Sequence, residues 1–112
     1  MTTGFFSHDD CMKHNMGAEH PECPERLAAI TSYLADTGLG QDLDWVRPDE
    51  ATRDQLQTVH PERYLNQLDL MQPTRGRVYT DPDTAMMPDT LRAARLAAGA
   101  SIEAVDMVLS SQ

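Results

Sequence analysis

The C-terminal segment from Asp89 to Ser110 has the strongest periodicity in the chain. Apolar residues recur every three or four positions and form one face of a helix, whereas polar residues form the opposite stripe. The apolar residues are Leu91, Ala94, Ala98, Ile102, Val105 and Leu109, and the polar ones are Arg92, Arg95, Glu103, Asp106 and Ser110. A broad face rich in alanine suits tight packing on a flat partner such as a β-sheet. We therefore predict a long C-terminal helix in an α/β protein.

The rest of the sequence offers few strands for such a helix to cover. Strands are predicted at residues 3–7 and 43–46, where β-prone and aromatic residues cluster. A further extended piece is expected at 77–80, inside a connection of residues 72–88 that holds three prolines and a glycine. A connection this long within a compact domain is more often functional than idle. With so little sheet available, part of the partner of the helix is expected to follow residue 112.

Three shorter helices are predicted between the strands. The first begins at Pro24, a residue suited to the first turn of a helix, and stops before Gly38. The second begins with the capping-box pattern at 52–55, and the third spans 61–71. Residues 8–23, which precede the first helix, are polar and predict a structured loop.

Composition limits the partners of the chain. Its 112 residues suffice for about one small domain with a working core. A formal net charge of −9 and scattered cations argue against a phosphate backbone as partner, so no nucleic acid is expected. No run of about 18 apolar residues is present, so no membrane span is predicted. The first residues do not resemble a secretory signal, and two cysteines without one predict reduced thiols and a cytoplasmic location.

Both cysteines and three of the four histidines fall within residues 8–26. Two residues separate Cys11 from His14, and two separate His20 from Cys23, which is the paired spacing of zinc ligands. The five residues between the pairs are fewer than the dozen or so in common zinc fingers. A packed, hydrogen-bonded loop is therefore the favoured interpretation, and a structural zinc bound by these four residues is the alternative.

Four motifs in order resemble the N-terminal part of histone deacetylase family enzymes, especially the class II-like and bacterial members, which include acetoin-utilisation proteins and acetylpolyamine amidohydrolases. The motifs are HPECPERL at 20–27, LQTVHPERYL at 56–65, DPDT at 81–84 and AARLAAG at 93–99. Each is weak alone, but the ordered set spans nearly the whole chain. The resemblance implies a three-layer α/β/α fold around a parallel sheet, with a catalytic zinc at the carboxyl ends of strands. Residues 1–112 would form its mainly helical N-terminal part.

The resemblance assigns roles to two polar residues. Arg26 matches the arginine of the HP-x-x-P-x-R motif, which lines the internal channel through which acetate is thought to leave. Asp83 matches the rim-loop aspartate that hydrogen-bonds substrate backbone at the mouth of the pocket. Both roles are chemically sound, because a guanidinium favours an acetate anion and a carboxylate accepts from peptide N–H groups or a cationic amine. The other motif residues are interpreted as structural: His20, Pro21, Pro24, His60 and Tyr64.

The catalytic residues of the family are expected beyond Gln112. They are the tandem histidines that assist zinc-bound water, the Asp-x-His and later Asp that hold the zinc, and the tyrosine that polarises the carbonyl. No histidine occurs after His60. Zinc-dependent hydrolysis requires a zinc ion held by three protein ligands with one position open, and a base beside it. Residues 1–112 are therefore expected to be one partial domain with no catalytic residue or cofactor of its own, and inactive in isolation.

Two further hypotheses belong to other functional classes. The first is a standalone, non-catalytic binding or oligomerising module derived from a deacetylase fragment. Because an exposed apolar face costs about 25 cal/mol per Å², a homo-oligomer that buries the helix at 89–110 is expected. The second is a small structural-zinc module, whose ligands would be Cys11, His14, His20 and Cys23. Some class IIa relatives bind such a zinc through histidines that match His14 and His20, but their loop cysteine matches Met16.

Overall fold

The computed structural model of the chain describes residues 2–111. Its strands are β1 (Thr3–Phe6), β2 (Leu43–Val46), β3 (Val78–Asp81) and β4 (Thr84–Met86), and its helices are α1 (Pro24–Asp36), α2 (Arg53–Gln57), α3 (Glu62–Met71) and α4 (Thr90–Ser110). Short 3₁₀ turns at Asp9–Lys13 and Leu39–Asp42 precede α1 and β2. The mixture of helices and small sheets confirms the α/β class. Within residues 2–111, every helix is too short or too polar to cross a membrane.

A parallel pair of strands opens the chain, with α1 as its connection. Residues 3–6 of β1 pair in register with residues 43–46 of β2. Parallel strands cannot be joined by a tight turn, so a helical crossover is the expected link. The rings of Phe5 and Trp45 lie side by side on the pair, edge to face, with centroids 4.9 Å apart. Both predicted strands are thereby confirmed, although the first ends one residue earlier than predicted.

The short helix α2 begins as predicted, with a capping box. The Thr52 hydroxyl accepts the Gln55 N–H at 3.2 Å, and the Gln55 side-chain carbonyl accepts the Thr52 N–H at 2.8 Å. Arg53 then links α2 to α3, because its guanidinium donates to Asp69 at 2.9 Å and to Asn66. A helix of only five residues is not stable alone, so the bonds of Arg53 contribute to holding α2 against α3.

The connection at 72–88 contains a hairpin that was only half predicted. β3 lies one residue from the predicted extended piece, whereas β4 was not predicted. The two strands are antiparallel, with an irregularity in register before the turn. Ala85 and Met86 are consecutive in β4 and are 2% and 4% exposed. A three-residue strand with adjacent buried positions lacks the alternation by which strands are recognised in a sequence.

The long helix α4 is confirmed, and within residues 2–111 the residues that it buries lie outside the predicted apolar face. The buried residues are Ala93, Leu96 and Gly99. The six residues of the predicted apolar face are half-buried or exposed instead: Leu91, Ala94, Ala98, Ile102, Val105 and Leu109. Their accessibility is consistent with the expectation that residues 1–112 hold little of the sheet that would cover this face. An alanine-rich helix offers more than one face narrow enough to pack, so the partner within residues 2–111 decides which one is buried.

The partner that decides is the loop before α2. The Ala51 N–H donates to the Arg95 carbonyl of α4 at 2.9 Å. Next to this bond, a Cβ on Gly99 would lie 1.9 Å from the Asp49 carbonyl oxygen, so only glycine allows the two backbones to approach this closely. The crossing turns Leu96 inward, where it is 1% exposed.

Replacement of Gly99 by Ala should lower the free energy of unfolding by about 2 kcal/mol, because the new methyl group overpacks the crossing. Helix propensity alone predicts the opposite sign, a gain of about 1 kcal/mol. Chemical denaturation followed by circular dichroism measures the difference. Ala97→Gly, on the exposed side of the same helix, is the control and should lose about 1 kcal/mol through propensity. A Gly99→Ala variant as stable as the parent would contradict the close approach.

Candidate functional site

The loop between β1 and α1 contacts β4 and the start of α4, which lie about seventy residues later in the sequence. The His14 Nδ1 lies 2.8 Å from the Thr90 hydroxyl at the start of α4. Met16 is buried, and its sulfur lies 3.4 Å from the backbone nitrogen of Ala85 in β4. The loop is therefore held against α4 and against the hairpin before it reaches the HP-x-x-P-x-R motif.

Five charged side chains form an ion-pair cluster between this loop and α4. Asp10 accepts from Arg92 Nε at 2.9 Å and lies 3.1 Å from Lys13 Nζ. Glu50 pairs with Arg92 at 2.6 Å and with Arg95 at 2.7 Å. The hydrogen bond from Arg92, followed by that from Lys13, lowers the pKa of Asp10 from 3.8 to about 2. The same bond from Arg92 raises the pKa of the guanidinium.

After Met16 the chain reverses direction through two residues with positive φ angles. Gly17 has a φ of +112° and Glu19 a φ of +66°. Asn15 supports the turn, because its side-chain carbonyl accepts the Gly17 N–H at 2.8 Å and its backbone carbonyl accepts from Arg77 Nε at 2.9 Å. A left-handed glutamate costs about 1 to 2 kcal/mol, so the surrounding contacts impose this turn. The reversal places His20 beside the tip of the β3–β4 hairpin.

The hairpin tip carries Asp83, and His20 contacts it. The His20 Nε2 lies 3.0 Å from Asp83 Oδ1, across 63 positions of sequence. The Asp83 N–H donates to Asp81 Oδ1 at 2.8 Å, which fixes the backbone of the turn. The side chain of Asp83 is 89% exposed and that of His20 is 22% exposed. The structure thus brings two of the motif residues together and leaves the carboxylate accessible to a ligand.

Arg26 lies in the first turn of α1 and points to the surface of the described chain. Its Nη1 lies 2.9 Å from Glu22 Oε2, one turn earlier, and its side chain is 59% exposed. It borders a cavity of about 230 Å³ together with Cys11, His14 and Cys23. Within residues 2–111, Arg26 therefore lines a surface cavity and not an enclosed channel.

The four Cys and His residues with zinc-ligand spacing are not assembled into one site. Three of them border the cavity beside Arg26, but His20 contacts Asp83 and His14 contacts Thr90. Among residues 2–111, no three His, Cys, Asp or Glu side chains are placed to hold a metal ion. Neither the structural zinc of the alternative hypothesis nor the catalytic zinc implied by the resemblance has a ligand set in this part of the chain.

Both cysteines are free thiols. Burial, reinforced by the negative charge of Asp10, raises the pKa of the Cys11 thiol. Its Sγ lies 3.9 Å from the Ala93 carbonyl oxygen on the buried face of α4. A thiol that keeps its proton at neutral pH is a poor nucleophile. Cys11 therefore packs between the loop and the helix as a small apolar side chain.

His60 and Tyr64 form an aromatic pair that takes no part in the His20–Asp83 contact. Their ring centroids are 5.4 Å apart. Both rings border a cavity of about 390 Å³ between α2, α3 and α4, whose wall is mostly apolar and includes Leu65, Leu91 and Ala98. Their position in the wall of a groove between helices is compatible with the structural role predicted for them.

Two residues important for the geometry were not selected from the sequence. Glu50 joins the loop before α2 to α4 through Arg92 and Arg95, which follow it by 42 and 45 positions. Met16 is buried under the hairpin. No local pattern marks either residue, because a surface glutamate and a loop methionine look ordinary until the distant partners are known. Arg92 and Arg95 of α4 were the available signal, but the helical periodicity placed them only in the polar stripe of the helix.

A family comparison agrees with this arrangement. Residues 20–112 match the model of the histone deacetylase domain, beginning at the histidine of the HP-x-x-P-x-R motif. The chain therefore belongs to the histone deacetylase family, as the order of its motifs predicted.

Individual relatives show how much of such a domain the chain represents. It is 32% identical to a probable deacetylase of Archaeoglobus fulgidus. The match covers all of this chain and 31% of that protein. It is also 32% identical to the polyamine deacetylase HDAC10 of Rattus norvegicus, over 98% of the chain and 20% of the relative. The crystal structure of the HDA15 HD domain superposes with a TM-score of 0.77 at 29% identity, over 89% of this chain and 30% of that one. The chain thus spans a third or less of these relatives.

The low pKa of Asp10 makes part of the stability dependent on pH. The pKa of Asp10 is lower in the folded state than the ordinary value of 3.8, so the folded state favours the ionised carboxylate. The contribution of Asp10 to the free energy of unfolding is therefore complete above about pH 4 and is lost as the pH falls through about 2. Urea denaturation in steps of pH across this window should show the midpoint falling with acid, and 1 M salt should weaken the effect.

Asp10→Asn should remove much of that pH dependence. Asp9→Asn is the matched control, because the Asp9 carboxylate is 83% exposed and 3.8 Å from Arg47, and it should behave as the parent. Equal pH profiles for Asp10→Asn and the parent would show that the ion-pair cluster does not stabilise the fold.

Proposed function

We propose that this chain is part of a deacetylase that hydrolyses an N-acetyl amide on a lysine side chain or a polyamine. The observation that carries the proposal is the match of residues 20–112 to the histone deacetylase domain. Two of the relatives, a probable deacetylase and a polyamine deacetylase, support this substrate class. We further propose the zinc dependence of the family, a three-layer α/β/α arrangement and a cytoplasmic location. The parallel β1–α1–β2 unit supports the layered fold.

Asp83 is proposed to contact the substrate. Its carboxylate projects from a hairpin tip whose backbone is fixed by Asp81, and it is exposed enough to meet a ligand directly. An ionised carboxylate accepts hydrogen bonds from peptide N–H groups and from protonated amines, and both are present next to an acetylated lysine or in an acetylated polyamine. Asp83 would therefore bind and orient the part of the substrate that remains outside the reaction.

Arg26 is proposed to attract the acetate product. A guanidinium binds a carboxylate through two parallel N–H bonds, and in the described chain Glu22 already occupies Arg26 Nη1. The neighbouring cavity offers space for a small anion beside the same side chain. Acetate would therefore compete with Glu22 for the guanidinium, and further protein surface over the cavity would be needed to enclose a channel.

The role proposed for residues 2–111 is binding and orientation, not bond cleavage. These residues offer no ligand set for a zinc ion, so no step of the hydrolysis is assigned to them. The thiol of Cys11, with its raised pKa, is also unsuited to attack on an amide. We propose accordingly that the 112-residue chain is inactive by itself.

A second candidate function, an oligomerising module, is favoured by the apolar side chains that α4 leaves exposed. Val105, Val108 and Leu109 near its C-terminal end are 57%, 62% and 62% exposed. Apolar area in water costs about 25 cal/mol per Å². A second copy of the same helix offers a complementary apolar surface, so we propose that the chain self-associates through α4.

The first prediction concerns binding without turnover. N-acetylspermidine titrated into ¹⁵N-labelled chain should shift the amide resonances of the hairpin tip, and Asp83→Asn should weaken binding about two- to fivefold. Asp36→Asn, which removes the same charge at the end of α1, is the control and should bind as the parent. No acetate should be released when zinc is added. Unchanged affinity of Asp83→Asn would contradict the substrate contact, and zinc-dependent hydrolysis that survives removal of contaminants would contradict inactivity.

The second prediction concerns assembly. Sedimentation at micromolar concentration should give a dimer or a larger species, and the double change Val105→Lys with Leu109→Lys should give a monomer. Ser101→Lys introduces a lysine at an exposed polar position of α4 without removing an apolar side chain, and it should leave the assembly unchanged. A parent chain that sediments as a monomer would rule the proposal out.

A further inference from the structure

The imidazole of His20 uses both of its nitrogens at once. Its Nδ1 lies 3.0 Å from the backbone nitrogen of Glu22, and its Nε2 lies 3.0 Å from Asp83 Oδ1. A backbone N–H can only donate, and an ionised carboxylate can only accept. Nδ1 must therefore be without a proton and Nε2 must carry one. A single neutral tautomer of His20 satisfies both bonds.

The carboxylate of Asp83 depends on this contact for its orientation. The bond from the Asp83 N–H to Asp81 fixes the backbone of the turn, but it does not fix the Asp83 side chain. Within residues 2–111, His20 is the one group that donates to the carboxylate, and it donates to Oδ1. Oδ2 therefore stays available on a side chain whose direction is set from another loop.

The loop side of the contact is the firmer one. The backbone nitrogen of His20 donates to the Gly17 carbonyl oxygen at 3.4 Å in the left-handed turn, and Pro21 restricts the backbone of His20, the residue before it. The bond from Glu22 to Nδ1 fixes the ring against its own backbone. The ring is thus held by the loop and presents Nε2–H to the hairpin, so orientation passes from His20 to Asp83.

We propose that His20 is a positioning residue for Asp83. It holds Oδ1 and thereby directs Oδ2 toward a cationic or N–H donor of the substrate. The inference rests on the proposed substrate contact of Asp83. A carboxylate that is already oriented loses less rotational freedom on binding, so the ligand binds more tightly for the same contact.

Two substitutions separate the two bonds of the ring. Asparagine places its side-chain oxygen near the position of Nδ1, so His20→Asn keeps the acceptor for Glu22 and loses the donor for Asp83. Glutamine places its NH₂ group near the position of Nε2, so His20→Gln keeps the donor for Asp83 and loses the acceptor for Glu22. Both variants are neutral and polar, so they differ chiefly in which bond remains.

The first measurement needs no activity. Long-range ¹H–¹⁵N spectra of the chain at pH 8 should show His20 with the proton on Nε2. The side-chain ¹³C–¹³C couplings of Asp83 should report one dominant rotamer in the parent and in His20→Gln, and averaged rotamers in His20→Asn. A proton on Nδ1, or an Asp83 rotamer indifferent to both substitutions, would overturn the positioning role.

The second measurement is the affinity for N-acetylspermidine. His20→Asn should weaken binding about two- to fivefold, as an exposed contact allows, and combined with Asp83→Asn it should add nothing. His20→Gln should bind nearly as the parent. If the rotamer effect is present but Asp83→Asn binds as the parent, the proposed substrate contact has failed while the positioning of Asp83 stands. If His20→Asn and Asp83→Asn weaken binding additively, His20 does not act through Asp83 and the inference is wrong.

Discussion

The crossing of loop 49–51 over α4 is the constraint on which the other contacts depend. Gly99 has no Cβ, so the loop backbone lies directly on the helix. That position puts Glu50 within reach of Arg92, and Arg92 in turn pairs with Asp10 in the loop after β1. One backbone crossing therefore sets the buried face of α4 and the place where the loop before α1 docks. A substitution at this glycine would disturb the candidate site without touching any of its residues.

In the candidate site, apolar burial fixes the position of the hairpin, whereas the polar contact of His20 orients one side chain. Full burial of a methionine side chain contributes about 1.5 to 3 kcal/mol, and Met16 of the loop and Met86 of the hairpin are both buried. An exposed pair such as His20 with Asp83 is worth about 1 kcal/mol at most. The hairpin is therefore held in place by its apolar side, and the His20 contact is strong enough only to select the orientation of one carboxylate.

Local signals in the sequence predicted the helices and strands well, but they predicted poorly which elements contact each other. The capping box at 52–55, the proline that opens α1 and the periodicity of α4 are interactions within a few residues, so they are visible in the sequence. The buried face of α4 depends on a loop some forty-five positions earlier, and β4 is recognisable only by its pairing with β3. For the site, the motif order selected Asp83 and His20 separately. Their contact joins positions 63 residues apart and could not be read from either motif.

The net negative charge of the chain favours cationic ligands, as the carboxylate of Asp83 does. Within residues 2–111, six of the nine Lys and Arg side chains are paired with carboxylates: Lys13, Arg26, Arg47, Arg53, Arg92 and Arg95. With a net charge of −9, the surface is left predominantly negative. Such a field attracts cationic ligands over a distance of about 8 to 10 Å at moderate salt, whereas a single carboxylate orients them on contact. Added salt should therefore reduce the affinity for a polyamine even in an Asp83→Asn variant, because the field survives the loss of the contact.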